Sequence, residues 1–71
     1  MARTPKYPNL AAEMARVGLG LCDMAAAIGC NYNAAYRRFY GVSQTTVGEA
    51  AKVRDALFPE KTIDFLFAER G

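Results

Sequence analysis

The chain has 71 residues, 52% of them hydrophobic and 23% charged, with a formal net charge of +2 and no histidine. That length makes one domain, which buries only about 60% of the surface its unfolded chain exposes, so a two-domain enzyme with a cleft between its halves is excluded and a disordered tail is too. Residues 1–45 carry five basic and two acidic side chains and residues 46–71 carry four and five, a small lean toward a polyanionic partner in the first two thirds.

Residues 1–7 are polar around Pro5 and are expected to be a flexible N-terminal arm. A first helix is predicted from Pro8, because proline suits a first turn and Leu10, Met14 and Val17 recur on one stripe; Gly18 and Gly20 stop it. A second is predicted over Leu21–Ile28, with Met24, Ala25 and Ile28 inward and Gly29 as its left-handed end. Asn31 is a good N-cap for a third helix that Gly41 closes. At about 100° per residue, Ala35 and Phe39 point inward, Asn33, Tyr36, Arg37 and Tyr40 point away, and Tyr32 lies between. Tyr40, beside that glycine, is expected to pack on a neighbouring helix.

After the polar "GVSQT", Thr46 and Glu49 have the spacing of a capping box. The fourth helix is expected to run to about Phe58, with Val47, Ala50, Val53, Leu57 and Phe58 inward, and Pro59 ends it. A short fifth, capped by Thr62, is expected to bury Ile63, Leu66 and Phe67. The expected fold is therefore all-α: a compact five-helix domain over residues 8–68, with 69–71 as a C-terminal tail.

Helix two, the turn "GCN" and helix three have the spacing of a helix-turn-helix, with small Ala25 where the axes cross. On "PNLAAEM", "DMAAAIGCN", "FYGV", "TVGEAAKVRDALFP" and "IDFLFA", the chain over about residues 8–68 resembles the phage Cro and lambda-repressor family and its bacterial relatives. The resemblance implies a lambda-repressor-like domain in which helix three enters the DNA major groove and helix two crosses the backbone, usually in a homodimer. It implies base contacts from Tyr32, Asn33, Tyr36 and Arg37, where asparagine suits adenine and arginine suits guanine. Asn31, Arg38, Ser43, Gln44 and Thr45 would meet phosphates. The expected function is thus a sequence-specific regulator of transcription that binds double-stranded DNA, a phage or prophage repressor.

The chain also departs from that pattern. Leu21 stands where many members have glutamine, Val42 where lysine commonly follows the glycine, Ala35 where a buried valine is usual, and Arg54 where a small residue is common. The missing glutamine and lysine, with the tyrosines of helix three, favour the alternative of a protein-binding modulator, antirepressor or antitoxin-like partner on the same scaffold, docking for example on a phage repressor.

Catalysis is not expected: there is no histidine, the carboxylates are scattered, and adjacent Cys22 and Asp23 point about 100° apart on a helix. Two cysteines cannot supply the four ligands of a zinc site, so neither metal nor cofactor is expected. "MARTPKYPNL" has no apolar core and no run is long enough to span a bilayer. A cytoplasmic protein is expected, with reduced thiols, Cys30 a small core residue and Cys22 an incidental surface thiol.

Overall fold

The computed structural model describes residues 4–69, so residues 1–3 of the expected arm and 70–71 of the expected tail lie outside the described residues. The chain is all-helical: α1 is Pro8–Val17, α2 Leu21–Ile28, α3 Tyr32–Phe39, α4 Val47–Leu57 and α5 Ile63–Leu66, with no strand among the described residues.

Each boundary has a local cause. Pro8 opens α1, and past Gly18 the Leu19 N–H donates to the Met14 carbonyl at 2.8 Å. The Asp23 carboxylate accepts from the Gly20 N–H at 2.9 Å, one arm of a capping box whose other arm glycine cannot supply. Both arms are present at α4, where the Thr46 N–H donates to Glu49 Oε1 and the Glu49 N–H to Thr46 Oγ1, each at 3.1 Å. Thr62 Oγ1 accepts from the Phe65 N–H at 3.1 Å to start α5.

Helix α2 lies between α3 and α4, while α5 closes against α1 and α4. Leu10, Met24, Val53 and Leu66 are fully enclosed where these helices meet, with Met14, Ala25, Ile28, Ala35, Phe39 and Phe58 around them. A side-chain amide joins the two ends of the chain, Asn9 Nδ2 donating to the Phe65 carbonyl at 2.9 Å. Cys30 and Leu57 pack on the rim of the core, and Cys22 is exposed. Among the described residues no helix is long and apolar enough to cross a membrane, and no group of three or more histidine, cysteine or acidic residues is placed to hold a metal.

Four expectations about burial are corrected. Val17 is 51% exposed, because the chain turns away immediately after it and Leu19, carried back by the turn, takes the place against the core. Val47 is 80% exposed: it opens α4 one turn before Ala50, where the helix projects past the core. Tyr7, placed by sequence in a loose arm, is only 4% exposed. Its ring meets Phe67 edge-on at 4.9 Å, and the neighbouring Lys6 N–H donates to the Phe39 carbonyl at 3.0 Å. An aromatic ring seated among apolar side chains outweighs the polar character of the residues before it. Ile63 and Phe67 are half-buried, so of the expected inward set of α5 only Leu66 is fully enclosed.

Candidate nucleic-acid interface

Helix α3 is held at both ends and along one side. Gly29, at φ +87°, ends α2 in the left-handed region that favours glycine, and its N–H and that of Cys30 both donate to the Ala25 carbonyl at 2.8 and 3.0 Å. Two residues later Asn31 Oδ1 accepts from the Ala34 N–H at 2.8 Å and starts α3 as expected. At the far end the Val42 N–H donates to the Arg37 carbonyl at 2.8 Å and the Gly41 N–H to the Arg38 carbonyl at 3.3 Å, with Gly41 at φ +80°. The Phe39 carbonyl takes its donor from Lys6, outside the helix. Ala35 and Phe39 are buried, and small side chains at Ala25 and Ala35 let α2 and α3 approach closely.

The side turned away from the core carries Tyr32, which is 51% exposed, and the exposed Asn33 and Arg37. None of these three side chains makes a hydrogen bond or ion pair with the described residues. Asn33 and Arg37 are one turn apart, about 6 Å along the axis. Tyr36, expected beside them, is half-buried: its ring lies 4.7 Å from that of Tyr40, and Tyr40 meets Phe39 edge-on at 4.9 Å. The Tyr36–Tyr40–Phe39 stack ties this stripe to the core through the helix's own side chains.

The residues expected at phosphates divide into two groups. Gln44 is exposed and Ser43 half-buried. Asn31 is exposed; its side-chain oxygen accepts the helix-cap hydrogen bond, and its amide nitrogen makes no hydrogen bond with the described residues. The Thr45 hydroxyl is buried and without a hydrogen-bond partner, so it is not presented to solvent. Arg38 turns back onto the protein. Its Nε donates to Glu49 Oε1 at 3.0 Å and its Nη1 to the Ala34 carbonyl at 3.1 Å, with both charged side chains only about one-fifth exposed (22% and 21%). A nearby carboxylate satisfies a guanidinium more completely than solvent does in such a half-covered position. The Arg38 donor holds the Glu49 carboxyl below its usual value, the Thr46 N–H adds to the effect, and Arg38 is correspondingly raised by Glu49.

Ion pairs occupy most of the remaining cations: Lys6 with Glu69, Arg16 and Lys61 with Glu13, and Arg54 with Asp55. Among the described residues, Arg37 and Lys52 are the cations that make no ion pair. Positive potential on the outer face of α3 therefore centres on Arg37 and not on an Arg37–Arg38 pair. Glu49 and Lys6 are the positioning groups that sequence patterning missed. Glu49 is legible locally as a cap residue, but its arginine lies eleven positions away across a loop, and nothing in the local pattern of Lys6 signals that its backbone ties down the end of α3.

No protein-family model matches this sequence, and comparison with curated proteins and with solved structures likewise finds no match.

Proposed function

We propose that the chain is a regulator of transcription that binds double-stranded DNA in a sequence-specific way, with α2 and α3 as a helix-turn-helix in a lambda-repressor-like domain and α3 as the reading helix. The observation that carries this reading is the contrast between the two sides of α3. Ala35 and Phe39 seat it in the core, while Tyr32, Asn33 and Arg37 face outward with no partner among the described residues. A polar amide and a guanidinium one turn apart on a rigid helix suit the edges of adenine and guanine in the major groove. Tyr32 offers a hydroxyl for a phosphate or a ring face for a thymine methyl, and Gln44 offers a further phosphate contact. A homodimer on two half-sites is part of the proposal.

Selection from a pool of randomised duplexes at low salt, followed by anisotropy titration of the enriched duplex and its scrambled counterpart, tests it. Arg37→Ala and Asn33→Ala are each expected to lose about 1–3 kcal/mol of discrimination, about five- to 140-fold, at one base position. A pool that returns no enriched sequence rejects sequence-specific DNA binding.

The sparse positive charge supports a second reading. With Arg38 cancelled by Glu49, a face of tyrosines around a single arginine also has the make-up of a protein interface. Salt-insensitive capture of a co-encoded repressor, together with no duplex binding, would select that alternative.

A further inference from the structure

We propose that Arg38 is a positioning residue, which clamps α3 to the start of α4 and sets the attitude of the Asn33–Arg37 face, and that it does not bind phosphate; the inference rests on α3 being the reading helix. A continuous chain of hydrogen bonds supports this. The Ala34 carbonyl, in the first turn of α3, accepts from Arg38 Nη1 at 3.1 Å, and Arg38 Nε donates to Glu49 Oε1 at 3.0 Å. The same carboxylate oxygen accepts from the Thr46 N–H at 3.1 Å, at the N-cap of α4. The Ala34 N–H is in turn held by Asn31 Oδ1, so both backbone groups of Ala34 are engaged by side chains.

The backbones of α3 and α4 do not approach one another closely; both pack on α2, and α4 packs on α5 as well. A side-chain bridge between them therefore adds a direct link between two helices that are otherwise joined only through α2 and the connecting segment 40–46. The planar guanidinium fork suits this task, since two of its donors leave in fixed directions toward two acceptors on different elements. The carboxylate also cancels the charge that a phosphate contact would require.

Two substitutions separate positioning from phosphate binding. Glu49→Gln removes the charge: its amide oxygen still serves the Thr46 N–H, because glutamine also completes a capping box, but offers Arg38 Nε only a weaker, neutral hydrogen bond. Arg38→Lys keeps the charge but loses the fork. Backbone amide exchange by NMR is compared among the wild-type chain and both variants, alongside binding to the duplex enriched from the randomised pool and to its scrambled counterpart over a salt series.

Both variants are expected to exchange the amides of α3 faster, by about fivefold for the loss of a partly covered pair. Their preference for the enriched duplex falls by a similar factor. Glu49→Gln additionally steepens the salt dependence, because Arg38, no longer paired with a charge, can meet a phosphate, which adds up to about 0.9 to the slope of log affinity against log salt. A loss confined to the cap would show in the first amides of α4 and leave α3 unchanged. The proposal is overturned if α3 exchange is unaltered in both variants, or if Arg38→Lys retains the full preference for the enriched duplex. Should the wild-type chain bind no duplex, the DNA reading itself is overturned, and the exchange of the α3 amides alone decides whether the clamp exists.

Discussion

Replacing Tyr7 tests whether the segment before α1 belongs to the folded core. The ring is 4% exposed and packs edge-on against Phe67 at 4.9 Å, and the hydroxyl makes no hydrogen bond with the described residues. Removing an aromatic side chain from such a site costs about 3–5 kcal/mol in lost burial and residual cavity. A domain of this size has about 4–11 kcal/mol of stability in total, at about 0.05–0.15 kcal/mol per residue. Tyr7→Ala is therefore expected to lose about 3 kcal/mol, a fall in Tm of about 12–24 °C at about 4–8 °C per kcal/mol. Tyr7→Phe keeps the ring and is expected to stay within about 0.5 kcal/mol of the wild type. Urea unfolding followed by far-UV circular dichroism, with equal m-values for all three chains, measures the differences directly. A cost below about 1 kcal/mol for Tyr7→Ala would refute the reasoning and return the segment to the status of a loose arm. Because Lys6 donates to the Phe39 carbonyl, the same variant should also raise amide exchange at Tyr40 and Gly41, where the chain leaves α3.

Three further outcomes are expected. Asn31→Ala removes the acceptor for the Ala34 N–H and should cost about 1 kcal/mol in urea unfolding, whereas Asn31→Gly should cost only a few tenths. Gly41→Ala places a Cβ at φ +80° and 3.0 Å from the Lys6 Cδ; the lysine chain can shift aside, so the expected cost is the left-handed backbone's own, about 1–2 kcal/mol by the same assay. The Glu49 carboxyl is held below its usual 4.5 by Arg38 and by Thr46, so its contribution is complete above that pH and is lost as pH falls through the lower folded value. The stability difference between the wild-type chain and Glu49→Gln should accordingly be constant near neutrality and shrink below about pH 4.5; a difference that grows on acidification would contradict the assigned pairing.

The chain's local chemistry was enough to place every helix. Pro8, Asn31, Thr46 and Thr62 start four of them and Gly18, Gly29 and Gly41 follow three, because a cap or a left-handed glycine acts over three or four residues and is read directly from neighbours in sequence. The inward pair Ala35 and Phe39 and the outward pair Asn33 and Arg37 were equally legible, since helical periodicity separates two faces once one of them is apolar. Tertiary structure decided the rest, where the deciding partner is distant in the chain. Whether Val17 and Val47 are covered depends on which elements pack over the side of the helix on which each lies, and among the described residues none does. Tyr7 is buried because Phe67, sixty positions later, is folded beside it. Arg37 and Arg38 are adjacent and chemically identical, yet one faces solvent unpaired and the other is spent on Glu49, because successive residues on a helix leave the axis about 100° apart and only one direction meets α4.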